Sequence, residues 1–137
     1  MKVIIAGSRE GFVARNVFEA IEESGFTITE VVSGTARGVD KDGEYWAKLN
    51  SIPIKQFPAD WENLGKSAGF LRNKQMAEYA NALIAVWDGK SKGTENMISI
   101  MKKLNKPIDD FNHALDALRY FAMMSLSIKQ SRKIIIT

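Results

Sequence analysis

The sequence predicts an α/β protein: a Rossmann-like three-layer sandwich, with a mainly parallel sheet and helices on both faces. Three observations predict it. Two short, almost unbroken apolar runs, KVIIAG (2–7) and ALIAVWDG (82–89), have strand length and no alternation, as strands buried on both faces do. Segments of helical period follow the strand-like runs, so strand and helix alternate four times. The glycine-rich or mixed polar segments GSREG, SGTARG, PADW and WDGKSKGT each follow a strand, whereas the opposite connections, such as SGF and LNS, are plain.

The elements follow in order. After the first strand, Val13, Val17, Ala20 and Ile21 recur at helical spacing between Gly11 and Ser24, and Gly25 is a helix stop. The β-branched run TITEVVS (27–33) is the second strand. A helix over 38–50 places Val39, Trp46 and Leu49 on one stripe, with Gly43 as a weak point. PIKQFP (53–58) is a short third strand. The helix over 68–80 turns Leu71, Met76 and Tyr79 inward. After the fourth strand, GTENMISIMKKLN (93–105) is amphipathic through Met97, Ile98, Met101 and Leu104. KPI (106–108) opens a short strand. The remainder, 109–137, reads as a divergent C-terminal helix (112–126) and a terminal strand KIIIT (133–137) on a single domain of 1–137.

Composition narrows the chemistry. The chain has 137 residues, enough for one domain with a core of its own. It has no cysteine and one histidine, His113, which excludes disulfides and thiolate metal sites and argues against a Ser-His-Asp triad. His113 reads as a surface helix residue. No metal or cofactor is expected. No charged-then-apolar leader and no apolar run of roughly 20 residues appears, so cytoplasmic residence is the expectation and a membrane is not a partner. The net charge of +3 suits an anionic small ligand and argues against nucleic acid as the main partner.

In an open parallel sheet, ligands sit beyond the carboxyl ends of the strands. The polar segments therefore converge on one rim. Glycine lets a ligand approach the backbone, and N–H groups at a helix start attract phosphate. Ser33, Thr35, Ser91 and Thr94 add hydroxyls, and Arg9, Arg37 and Arg72 add forked donors. Two such loops, 33–38 and 89–94, point to a nucleotide or nucleotide-sugar rather than a lone phosphate. Neither loop is a Walker A or a G-x-G-x-x-G sequence. Each residue also has a structural reading. Arg72 either binds ligand or pairs with Asp40 or Asp60. Asp88 either meets a ribose hydroxyl or caps the next helix. Ser8 either donates to phosphate or caps the first helix. Trp61 either stacks a base or packs, Trp87 packs, and Lys90 and Lys92 either draw in an anion or are solvated.

The stretches GSR, SGTARGVDK, FPADWENLGKSAGFLRNKQMAEYA and AVWDGKSKGTENMI together resemble the DUF2493 proteins, the YspA, cpYpsA-related SLOG family, over about residues 1–108. The resemblance implies a Rossmann-like sheet and a nucleotide-derived ligand. The superfamily includes cytokinin-activating phosphoribohydrolases, DNA-processing DprA proteins and ADP-ribose-sensing domains, and many members are phage-borne. Matched residue by residue, it implies ligand-binding roles for Gly7, Ser8 and Arg9; for Ser33, Gly34, Arg37 and Gly38, with Asp40 in the same motif; for Arg72 and Asn73; and for Asp88, Gly89, Ser91, Gly93 and Thr94. The phosphoribohydrolases carry P-G-G-x-G-T-x-x-E in the fourth loop. Here Met97 holds the glutamate's place and Glu95 lies beside Thr94. The tail DDFNHALDALRYFAM (109–123) resembles the closing helix of phage terminase nucleases, where Asp116 would help bind metal, but the rest of that fold is missing.

The leading expectation is a binding module that senses or sequesters an ADP-ribose-like molecule. One alternative is a hydrolase of N-glycosidic bonds, with Asp40, Asp88 and Glu95 as candidate carboxylates. The other is single-stranded DNA binding like that of DprA. A homodimer or higher homo-oligomer is expected through the Met-rich helix 112–126.

Overall fold

The computed structural model describes residues 1–112. In chain order these are β1 (Lys2–Gly7), α1 (Ala14–Ser24), β2 (Glu30–Ser33), α2 (Val39–Leu49), β3 (Ile54–Gln56), α3 (Trp61–Leu64), a 3-10 turn (Gly65–Ser67), α4 (Ala68–Tyr79), β4 (Ala82–Trp87), α5 (Lys92–Lys103) and β5 (Ile108–Asn112). The five strands form one sheet in the order β3-β2-β1-β4-β5, and every pair is parallel. This is the Rossmann-like α/β architecture that the alternation predicts.

The two unbroken apolar runs, β1 and β4, pair at the centre. Because side chains alternate across a strand, each run supplies both cores. Ile4, Ala6, Leu83 and Ala85 face Met76 of α4 and Met97 and Met101 of α5. Val3, Ile5, Ile84 and Val86 face Val17 and Ile21 of α1 and Val39 and Ala47 of α2. Gly43 has a packing reason inside α2. A Cβ there would lie 2.8 Å from Cγ2 of Ile5, so the helix presses its backbone onto β1.

Some inward assignments are corrected. Val13, Leu49, Leu71 and Leu104 are exposed. The buried stripe of α2 is Val39, Asp40, Gly43, Glu44 and Ala47, and that of α4 includes Asn73 with Met76 and Ala77. Both helices turn polar residues inward, which a rule sorting by hydrophobicity misses. The short α3 is too brief for a period; Asp60 caps it by accepting from the Asn63 N–H at 3.3 Å. The strand expected at 106–108 begins only at Ile108 and runs to Asn112, so residues 109–112 extend the sheet instead of opening the tail helix. Lys106 docks this connection under α4, its ammonium donating to the carbonyls of Ala77 and Ala80 at 2.7 and 2.8 Å. The helix over 112–126, the strand over 133–137, His113 and Asp116 lie outside the described residues.

Candidate functional site

The strand order reverses at β1: the chain moves to β2 and β3 on one side, then crosses to β4 and β5 on the other. The loops leaving β1 and β4 therefore part, and a crevice opens at their carboxyl ends. Ser8 ties that point together. Its N–H donates to Val86 O at 3.1 Å, its carbonyl accepts from the Val39 N–H at 3.2 Å, and its hydroxyl oxygen accepts from the Asp88 N–H at 3.2 Å. Ser8 is thus a buried brace between three loops and neither caps α1 nor lines the crevice. Gly38 is the second brace. With φ of 83°, it lets the carbonyls of Ser8 and Arg9 approach to 2.6 Å of where a Cβ would stand.

The loop after β2 closes on itself. The Ser33 hydroxyl donates to Glu44 Oε2 at 2.6 Å and accepts from the Thr35 N–H at 3.1 Å, and Thr35 takes a left-handed φ of 67°. The Ala36 N–H donates to Asp40 Oδ2 at 3.1 Å. Two amides expected to face phosphate are therefore bound internally. Arg72 ties this loop to α4. One guanidinium nitrogen donates to the carbonyl of Gly34 and, at 3.4 Å, to that of Phe57, while Nε donates to Asn73 Oδ1 at 3.1 Å. A Cβ at Gly34 would lie 2.6 Å from that nitrogen and 2.9 Å from Asp40 Oδ2, so any larger residue would displace the Arg72 and Asp40 side chains.

The loop after β4 repeats the pattern. Asp88 Oδ1 accepts from the N–H groups of Lys90 and Ser91 at 2.8 and 3.2 Å. The Lys90 N–H, foremost, holds the exposed Asp88 carboxyl below its ordinary pKa. Ser91 caps α5, accepting from the Thr94 N–H at 3.4 Å, and its hydroxyl lies 3.1 Å from that of Thr94. Asn73 crosses to this loop, its amide donating to Gly93 O at 3.1 Å and Asn96 Oδ1 at 2.9 Å.

Two clefts meet on this rim. An inner one of about 210 Å³ is lined by Gly7, Arg9, Asp40, Arg72, Asn73, Ser91, Gly93 and Thr94, with Met76 and Met97 below. An outer one of about 320 Å³ is lined by Gly34, Thr35, Arg37, Pro58, Ala59 and Trp61. Arg9, Ala36 and Arg72 belong to both. Arg37 stands at the rim, its side chain 67% exposed and paired with Glu10 at 2.9 Å; such a pair contributes little. Of the predicted residues, Ser8, Ser33 and Gly38 act as scaffold behind the clefts, and Asp88 and Gly89 line neither. Glu95 is in a third cleft of about 270 Å³ with Trp87, Lys102 and Asp110, where the Trp87 indole donates to Asp110 at 2.6 Å. Sequence reading passed over Ala36, Pro58 and Ala59; the polar break after β3 was the available signal for the last two.

Asp40 is thus the carboxylate that lines the inner cleft. It is 6% exposed, and burial pushes its pKa up to about 6. The Ala36 N–H, Arg72 and Arg9 oppose that rise and Glu44 adds to it. Burial likewise lowers the Arg72 pKa, against the support of Asp40. Glu44, despite burial, is held below its ordinary value by hydrogen bonds from Ser33 and Gln56 and by Lys41. For Asp40 the folded pKa stands above the unfolded one. Its neutral form stabilises the fold fully below about pH 4, and that contribution is lost as pH rises through about 6. The loss is roughly 3 kcal/mol at most. Asp40→Asn cannot titrate, so its stability relative to wild type is expected to improve between about pH 4 and pH 8 by up to that amount. Denaturant unfolding at both pH values measures it, and an unchanged difference would refute the burial argument.

An all-parallel sheet with a two-arginine cleft at its reversal point defines a Rossmann-like α/β protein with a polar cleft beyond the strand ends. The chain belongs to the family of the Gene 61 protein of Mycobacterium phage D29, with which it is 33% identical over 121 residues, covering 80% of this chain and 95% of that protein. Among solved structures, the DNA processing protein A (DprA) of Streptococcus pneumoniae has the same fold, with a TM-score of 0.65 at 18% identity. The likeness covers 80% of this chain and 49% of that one, so this chain spans about half its length. No protein-family model matches the chain. Among the described residues, no helix is long and apolar enough to cross a membrane, and no group of three or more His, Asp or Glu stands where it could hold a metal ion.

Proposed function

We propose that this chain binds a nucleotide-derived phosphate ligand, ADP-ribose-like in class, across the paired clefts. The observation that carries the reading is the shared wall: Arg9 and Arg72 face both clefts, so one anionic group between them has room for a substituent on either side. The Ser91 hydroxyl on the inner cleft and the open approach at Gly93, where a Cβ would meet nothing within 4 Å, support it. The SLOG resemblance and a phage relative accord with a phage-borne nucleotide sensor or sink. It would act in the cytoplasm of the infected cell, as a homo-oligomer.

Calorimetric titration with ADP-ribose, AMP and inorganic phosphate tests the reading. Arg9→Ala is expected to weaken ADP-ribose binding about tenfold or more, the effect of a lost charge-assisted hydrogen bond. Its melting temperature is expected to stay near wild type. Absence of nucleotide binding by the wild type, together with retention of single-stranded oligonucleotides at physiological salt, would replace it with a DNA-binding function suggested by the name and fold of DprA.

One observation favours a second reading, N-glycosidic hydrolysis: Asp40 lines the inner cleft with a pKa of about 6, suited to proton transfer near neutrality. Chromatography of the incubated nucleotides distinguishes the two. Intact ligand supports binding, and base release abolished by Asp40→Asn establishes the enzyme.

A further inference from the structure

We propose that Trp61 is the base platform of the outer cleft, so that the ligand carries an aromatic base and is not a sugar phosphate alone; this rests on the phosphate-binding reading of the Arg9–Arg72 wall. Tryptophan is the largest apolar side chain, and burying it stabilises a fold. Trp87 follows that rule and is buried. Trp61 is 51% exposed, although it lies in a concave wall where packing against a neighbour would cover it. Its surroundings hold it there. The ring lies over Gly69 of α4, where a Cβ would stand 3.2 Å from Cη2. The turn that presents it is tied by Asp60, which accepts from both the backbone and the side-chain amide of Asn63, and by the Ser67 hydroxyl donating to Leu64 O at 2.8 Å. A half-exposed ring held on a helix backbone is preorganised to receive a flat partner.

The rest of the cleft selects that partner. Pro58 and Ala59, which line the cleft with Trp61, are apolar, while Arg9 and Arg72 line both this cleft and the inner one. An aromatic base on the indole and its phosphate at the arginines fit this polarity. A sugar phosphate would leave the ring uncovered. Base stacking on an aromatic side chain contributes a factor of about 5 to 150 in affinity by alanine substitution.

The experiment compares AMP with ribose 5-phosphate by calorimetry, on wild type, Trp61→Leu and Trp61→Phe. Wild type is expected to bind AMP about tenfold or more tightly than ribose 5-phosphate. Trp61→Leu is expected to erase that preference while leaving ribose 5-phosphate affinity unchanged, and Trp61→Phe to keep most of it. A second variant, Gly69→Ala, keeps the indole but shifts it, since the new Cβ would lie 3.2 Å from Cη2, and is expected to weaken AMP selectively. Equal losses for both ligands in Trp61→Leu would make the ring structural and overturn the proposal, as would equal wild-type affinities. If wild type binds neither ligand, the phosphate-binding reading itself has failed, a different result. An oligothymidylate bound more tightly than AMP would overturn the assignment to a free nucleotide.

Discussion

Arg72→Ala is expected to destabilise the protein by about 2–4 kcal/mol and to abolish ligand binding in whatever remains folded. The guanidinium joins four parts of the rim: the carbonyls of Gly34 and Phe57, the side chain of Asn73, and the buried Asp40 beside it. Its removal leaves two carbonyls and an amide oxygen without this donor. It also removes a cation that helps keep Asp40 ionised, so the Asp40 pKa is expected to rise further above about 6. The destabilisation is therefore larger above that pH than below it. Arg72→Lys is not expected to rescue binding, because one ammonium cannot span acceptors on three elements. Chemical unfolding at about pH 8 and about pH 5 measures the effect. A variant within about 0.5 kcal/mol of wild type at both would show that the guanidinium is not integral to the rim.

The largest effect on folding is expected at Gly7. A Cβ there would lie 1.7 Å from the carbonyl oxygen of Val86, 2.7 Å from its carbonyl carbon and 3.1 Å from Val39 Cγ2. The first two are backbone atoms of the neighbouring central strand, paired in register with Gly7. They cannot move without parting β1 from β4 and disturbing the Ser8 brace, whose N–H uses the same Val86 carbonyl. Gly7→Ala is expected to cost more than about 4 kcal/mol and to yield little folded protein. Gly93→Ala is the control, since a Cβ there meets nothing within 4 Å. Circular dichroism and thermal melting separate the two. A Gly7→Ala protein melting like wild type would contradict the β1–β4 register.

The parts of the rim differ in how legible they were. The misplacement of Glu95 was readable in advance. One residue beyond Thr94 on a helix points about 100° away from it, and Glu95 lies in another cleft, beside β5. Asp88 as a loop-closing residue was likewise a local possibility, with its acceptor role satisfied two and three residues on. The internal binding of the Thr35 and Ala36 amides was not readable, although both partners are near in sequence. Glycine and hydroxyl content suggests an anion cradle equally well whether the amides face out or in. The burial of Asp40 and Glu44 on α2 escaped for a related reason: hydrophobic spacing marks an inward stripe only when that stripe is apolar.

By itself, the sequence determined the alternation of buried strands with amphipathic helices and the concentration of polar loops at one end of the strands. Hydrophobic period and glycine placement are local properties, and they act within one or two turns of chain. Only the tertiary structure decided that Ser8 meets Asp88 across 80 residues and that Arg72 reaches Gly34 across 38. Those contacts depend on the strand order, which follows from burying both faces of β1 and β4 together. That burial is a property of the whole chain, so no single segment encodes the pair of arginine-walled clefts that it creates.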